Sequence, residues 1–331
     1  MRVIKGFAAV ALLACASYAE EVIKIGIIGL DTSHALAFTK AINATNPAPE
    51  FAGFRIVAAY PQGSRDIVSS TNRLPSYIAT VKTQGVEIVD SIGELLKRCD
   101  VVLLESNDGR VHLEQALPVF KSGKRVFIDK PLAASLPHVI AIFDAAKKYN
   151  VPMFTSSSLR YTAKTQEIRA GTCGKVVGVE AYSPCALEPT HPDLFWYGIH
   201  GVESLFTLMG TGCETVVRVS TPGTDVAVGT WKNGRIGSFR GNRASSGKYG
   251  ANVYLEKGMQ TVDDFKMYDA LLVEILKFFK TGVAPVSSEE TTEMFAFMEA
   301  ADESKRRGGA PVSVAEVLSK ARAEAAKIPL D

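Results

Sequence analysis

Residues 22–30 (VIKIGIIGL) are apolar at almost every position and rich in isoleucine. A strand with one wet face would alternate polar and apolar residues, but here only Lys24 interrupts the run. The segment therefore reads as a strand buried on both faces, as in the middle of a parallel sheet. Parallel neighbours cannot be joined by a hairpin and need crossovers, usually helices. The chain supplies them. Asp31-Thr32-Ser33 is a cluster of helix N-cap formers, and apolar periodicity follows over 35–42. Further strands read at 54–60, 100–104, 125–128 and 152–156, with helices at 92–97, 112–122 and 136–149. Residues 61–75, rich in Gly, Ser and Pro, read as a loop. Such alternation means βαβ units, whose ligands bind outside the carboxyl ends of the strands.

Beyond residue 160 the pattern changes. Short strands read at 176–183, 216–220, 225–231, 235–240 and 251–256, broken by turns such as Lys232-Asn233-Gly234. This predicts an antiparallel or mixed sheet. A helix reads at 200–209, and amphipathic helices at 268–280 and 289–306. The expected fold is α/β: an N-terminal Rossmann-type parallel sheet and a C-terminal α+β domain with an open sheet. The expected division is 1–20, 21–158 and 159–331, and 331 residues suit two domains.

The first segment reads as a secretory signal peptide. Arg2 and Lys5 precede an apolar run over 6–16, and Ser17-Tyr18-Ala19 offers small residues for cleavage. Export to the periplasm or beyond is expected. Leu12-Leu13-Ala14-Cys15 resembles a lipoprotein cleavage box, so a lipid anchor on Cys15 is the alternative. No other run is apolar enough to span a membrane. The net charge of +2, without a basic run, argues against nucleic acid as a partner. Cys99, Cys173, Cys185 and Cys213 show no C-x-x-C spacing, so no structural zinc site is expected.

Four pieces carry a family resemblance: Gly26-Ile27-Ile28-Gly29, Ile128-Asp129-Lys130-Pro131-Leu132, Ser158-Leu159-Arg160-Tyr161 and Gly198-Ile199-His200. In this order the chain, from 22 to 312, resembles the glucose–fructose oxidoreductase, inositol dehydrogenase and rhizopine-catabolism (Gfo/Idh/MocA) family. The resemblance implies NAD or NADP as cofactor, tightly held if the chain is exported to where free cofactor is scarce, a small carbohydrate as substrate, and a homo-oligomer built on the second sheet. It gives Lys130 and His200 catalytic roles, with Tyr197 and His191 as further candidates in the aromatic and polar run 190–197. An ammonium beside a hydroxyl stabilises the alkoxide that forms as hydride leaves. The cofactor-binding set it implies is Gly29, Leu30, Asp31, Thr32, Ser33, His34, Ser106, Asn107, His112, Asp129, Lys130 and Arg160.

The sequence departs from that family at defined points. The glycine fingerprint would need glycines at 29, 31 and 34, but positions 31 and 34 are Asp and His. As helix N-cap, Asp31 would compete with the diphosphate for the free N–H groups. Tyr60-Pro61 replaces the acid that usually holds the ribose, and Ser64 and Arg65 could instead greet a 2′-phosphate. Trp196 stands where an aspartate would precede His200 by one turn. Glu105 and Asp108 add charge at the third strand end. The spacing of Asp31, His34, Glu105 and Asp108 matches no metal motif, so no metal is expected. The first reading is an exported NAD(P)-dependent oxidoreductase acting on a sugar or polyol. The alternative is a carbohydrate-binding or non-redox sugar-processing protein that has lost the dinucleotide.

Overall fold

The structure is a computed structural model describing residues 22–331 apart from Ser246. The segment expected to be a signal peptide, and the lipid-anchor candidate Cys15, lie outside the described residues.

The N-terminal half alternates as expected. Its strands are β1 (Ile23–Ile28), β2 (Phe54–Tyr60), β3 (Glu87–Ile88), β4 (Val101–Leu104), β5 (Val126–Ile128) and β6 (Met153–Phe154). Its helices are α1 (Ser33–Ile42), α2 (Val68–Thr83), α3 (Ile92–Leu96), α4 (His112–Lys121) and α5 (Leu136–Lys148). The strands pair in the order β3-β2-β1-β4-β5-β6, and every pair is parallel. This is the doubly wound order, with its crevice beside β1 where the winding reverses. Successive residues of β4 face opposite sides: Val101 and Leu103 join the core that includes Phe38, while Val102 and Leu104 join the one that includes Val139.

One expectation fails in this half. Much of the loop expected over 61–75 is helix α2, which carries Pro75 in its interior. Pro75 removes one backbone donor and ordinarily breaks a helix. Here Leu74, Ile78 and Val81 recur at helical spacing and pack against the core under β2, so tertiary burial overrides the break.

The C-terminal half comprises α6 (Ala163–Arg169), β7 (Val176–Pro184), α7 (Asp193–Trp196), α8 (Ile199–Met209), β8 (Cys213–Thr221), β9 (Thr224–Trp231), β10 (Ile236–Asn242), β11 (Gly250–Leu255), β12 (Gly258–Val262), α9 (Asp269–Thr281), α10 (Ser288–Arg306), β13 (Val312–Ser313) and α11 (Val314–Ala325). Its sheet runs β12-β11-β7-β10-β9-β8-β13 and is mixed, since β7 and β10 are parallel and the other pairs antiparallel. Helix α8 is buried along its whole length, which suits a helix with almost no polar face. Helix α9 returns to the first sheet, where Leu271, Leu272, Ile275 and Phe278 join the core under β1. Phe278 meets Phe154 of β6 edge to face, with ring centres 5.0 Å apart.

Gly29 ends β1 with φ at +84°, and a Cβ there would lie 2.4 Å from the backbone nitrogen of Ser106. Gly29→Ala should therefore destabilise the fold by about 2–5 kcal/mol, from the left-handed backbone plus the displacement of a packed loop. Denaturant unfolding would measure this, and a loss under 1 kcal/mol would mean that the loop after β4 yields freely.

Candidate active site

Four strand ends and the start of α8 enclose a cleft of about 350 Å³. Thr32, Ser33 and His34 line it from the start of α1, and Asn107, Asp129 and Lys130 from the ends of β4 and β5. The second half contributes Trp196, Tyr197, His200, Tyr249, Phe265 and Tyr268. The sequence candidates Lys130, His200 and Tyr197 thus share one cavity with part of the expected cofactor set.

His200 sits in the first turn of α8 and is buried. Its Nδ1 lies 2.7 Å from the Ser157 hydroxyl, and the rings of Tyr197 and Tyr249 stand edge-on to it. Burial holds this imidazole well below the ordinary histidine range, and electrostatic repulsion from Lys130 and His34 pushes the same way. It is neutral near pH 7 and can accept a proton. Ser157 supplies the orienting contact that Trp196 cannot. The polar run 155–158 after a buried strand was the available signal for it. Tyr249 and Tyr268, which enter from distant elements, had none. The hydroxyls of Tyr197 and Tyr249 lie 3.1 Å apart, and that of Tyr268 lies 3.2 Å from Ser33.

Several candidates are placed away from the cleft. His191 Nε2 accepts the Gly109 N–H at 3.2 Å, and Thr190 occupies its Nδ1. Burial pushes it down to about 4, so it is a neutral anchor for the loop after β4. Arg160 is buried in ion pairs with Glu203 and Glu290 and ties α8 to α10. His112 spans two carbonyls, Ser106 at 2.7 Å and Leu132 at 3.0 Å, and so fixes the turns that carry Asn107 and Lys130. Ser106 donates to Gln115 at 2.6 Å. Leu30 is core, and Gly29 closes the first turn through its N–H to Tyr60.

Asp31 is not the N-cap of α1. Thr32 takes that place, its hydroxyl accepting the Ala35 N–H. The Asp31 carboxylate turns the other way and accepts the N–H groups of Ser64 (3.1 Å) and Asn107 (3.0 Å). It joins the loops after β2 and β4 from a fully buried position, and burial raises its pKa against those hydrogen bonds. Ser64 is committed too: its hydroxyl lies 3.0 Å from an Asp108 oxygen and 3.1 Å from an Asp66 oxygen, and its one proton goes to one of them. Arg110 joins the same two acids. Ser64 therefore does not stand ready for a 2′-phosphate.

Where linear spacing suggested no metal group, the fold brings His34, Glu105 and Asp129 together, one ligand atom of each within 4.8 Å of the others. Positions 34, 105 and 129 are remote in the chain but follow the adjacent strands β1, β4 and β5. Asp31 and Asp108 take no part. Burial, then the nearby Asp129, raises the Glu105 pKa well above the carboxylate range. Burial also pushes Asp129 up, but His34 and Lys130 outweigh it and hold Asp129 low.

The sequence profile of an oxidoreductase family with an NAD-binding Rossmann fold, Gfo/Idh/MocA, matches residues 23–157. Solved structures extend the likeness over both halves. Scyllo-inositol dehydrogenase from Lactobacillus casei, solved with NAD(H) and scyllo-inositol, is 16% identical with a TM-score of 0.70, over 89% of this chain and 100% of that one. Residues 23–157 thus carry the sequence signature of that family's NAD-binding domain. An oxidoreductase from Agrobacterium radiobacter in complex with NAD+, L-tartaric acid and magnesium is 16% identical with a TM-score of 0.68, over 89% and 99%. An NAD-binding protein from Listeria innocua is 16% identical with a TM-score of 0.67, over 90% and 99%. At these identities the structures speak for the fold. No curated protein matches the sequence.

The nicotinamide dinucleotide implied by this family fits the cleft at one end and meets a changed surface at the other. Asn107, Lys130 and Tyr268 line the cavity that also holds His200. At the first turn, Asp31 rules out a diphosphate seated on a bare glycine backbone. Thr32 and Ser33 at the positive end of α1, with Arg73 across the cleft, are the groups present to hold an anion.

Proposed function

We propose that this Gfo/Idh/MocA-family chain is an exported oxidoreductase that acts on a hydroxyl-bearing carbon of a small sugar or polyol. The observation that carries the reading is the cleft itself. It places a cationic lysine, a buried neutral histidine and five aromatic side chains around one small cavity. Aromatic faces suit the C–H faces of a sugar ring, and the Tyr197, Tyr249, Ser33 and Tyr268 hydroxyls suit its oxygens. His200 takes the hydroxyl proton, and the Lys130 ammonium stabilises the alkoxide. A bound nicotinamide would supply the hydride acceptor. Ser157 fixes which imidazole nitrogen faces the cleft.

The test is to denature natively purified protein, identify any released nicotinamide by mass spectrometry, and assay hydride transfer from a panel of inositols and aldoses. Stoichiometric cofactor and turnover on a member of the panel are expected. No cofactor, together with no binding of added NAD or NADP, overturns the reading.

The pH profile gives a second check. Lys130, His34 and Asp129 act on His200 electrostatically, Tyr197 and Tyr249 face its ring, and burial dominates. The neutral base therefore persists below pH 6.5, and the acid limb of kcat/KM should lie under that value. A limb above it would remove His200 as the base.

The outer face of the second sheet exposes Val219, Ile236, Tyr254 and Met259. An apolar sheet face of this kind supports the expected homo-oligomer through a second copy, which sedimentation would report.

A further inference from the structure

Three ligand-type atoms beyond the ends of β1, β4 and β5 are buried without a hydrogen-bond partner: His34 Nδ1, Glu105 Oε1 and Asp129 Oδ2. Their residues are 3%, 0% and 0% exposed. An unsatisfied buried oxygen or nitrogen is costly, and buried carboxylates are ordinarily paired or bound to a metal. Three such atoms on three clustered residues call for one common explanation.

An ion pair alone does not provide it. His34 Nδ1 and Asp129 Oδ2 stand 3.0 Å apart, yet their geometry makes no hydrogen bond. An imidazolium there would neutralise Asp129 only, and Glu105 would need a proton of its own, as its raised pKa indicates; one dication would replace both protons.

We propose that His34, Glu105 and Asp129 bind one divalent transition-metal ion, with zinc preferred. The donor set is one imidazole nitrogen and two carboxylates, whose joint charge a dication cancels. Imidazole with carboxylate suits zinc, and zinc binds such sites more tightly than manganese. The surroundings resemble the outer support of a metal site. Thr32 donates to the other Glu105 oxygen at 3.1 Å, and the Lys130 N–H donates to the other Asp129 oxygen at 2.8 Å. The His34 ring is held by Phe38 at 5.2 Å and Tyr268 at 4.3 Å between centres. Such contacts fix ligand orientation. His34 and Asp129 line the same cleft as Lys130 and His200. Coordination positions left open by three protein ligands would face it, ready for water or the vicinal hydroxyls of a polyol. The metal site goes beyond the redox reading and stands on its own three residues.

The experiment uses the purified chain, stripped with chelator and then given zinc or manganese separately. Elemental analysis after desalting gives stoichiometry, and calorimetric titration gives affinity. One zinc per chain is expected, bound more tightly than manganese. Glu105→Gln and His34→Gln should each weaken zinc at least about a hundredfold, since even loss of an outer-shell partner costs 10- to 100-fold. Circular dichroism checks folding of both variants, and an anomalous zinc peak between the three residues in wild-type crystals provides a readout independent of them. No retained zinc, or zinc retained unchanged by both variants, overturns the proposal. Nicotinamide is quantified on the same samples. Zinc without nicotinamide upholds the site and defeats the redox reading, and nicotinamide without zinc does the reverse.

Discussion

Lys130→Met should lower turnover on the preferred sugar or polyol by about a hundred- to ten-thousandfold, the range that a positioned proton-transfer group contributes. Lys130 is half-buried at the rim of the cleft, so its replacement should shift stability by no more than about 0.5 kcal/mol. The defect should appear in kcat and kcat/KM together, because the ammonium matters most when the substrate oxygen carries charge. His200→Asn should produce a loss of similar size. The double variant separates the roles. If both residues serve one proton, the pair costs little more than the worse single change, because groups acting as a unit are strongly non-additive. If the two losses multiply, Lys130 and His200 act independently, and the account in which the ammonium stabilises the alkoxide left by proton transfer to His200 fails. Steady-state kinetics on the three variants decides between these outcomes.

Most of the fold was legible because burial writes itself into strands and helices with fixed periods. The run 22–30 is apolar except at Lys24, and β1 has parallel neighbours on both sides. The turns beyond residue 160 likewise foretold a sheet of short strands. The losses came where tertiary contacts outweighed local signals. Pro75 argued against a helix, yet the apolar stripe through Leu74, Ile78 and Val81 had a core to join. Helix α9 is amphipathic in sequence, but nothing in its composition told which sheet it would cover.

The site was legible only in part. Lys130 and His200 sit in the pieces that carry the family resemblance. Ser157 replaces an orienting aspartate from a different element, and a substitution of that kind has no fixed spacing. His191 and Arg160 are residue types that chemistry favours, but here they close loops and pair helices. The triad of His34, Glu105 and Asp129 was hidden because its members come from three segments joined only by strand order. Asp31 was recognised as a departure, but its direction was misread. An aspartate beside a helix start can cap the helix or turn back, and the two N–H groups of Ser64 and Asn107 decided the matter.

Asp31→Asn tests what that departure does. The carboxylate accepts two backbone N–H groups, whereas an amide offers one oxygen and turns a donor toward the second. One buried N–H then loses its partner, at a cost of about 1–3 kcal/mol in unfolding free energy. The effect on the cofactor should run the other way. Asp31 stands where the family's glycine lets a diphosphate approach, so its charge opposes that anion. At an effective dielectric of about 20, a unit charge ~10 Å away contributes ~1.7 kcal/mol. Removing it should tighten binding of NAD or NADP by about tenfold, even as the fold weakens. The pH dependence provides an internal control. Burial raises the Asp31 pKa, so lowering the pH protonates the group in the native protein first. Wild-type affinity should therefore rise as pH falls through that raised value, and the Asn variant should lose this component. If the variant instead binds nucleotide more weakly at unchanged stability, the carboxylate is part of the cofactor's own hold, and the first turn is a rebuilt binding site rather than a damaged one.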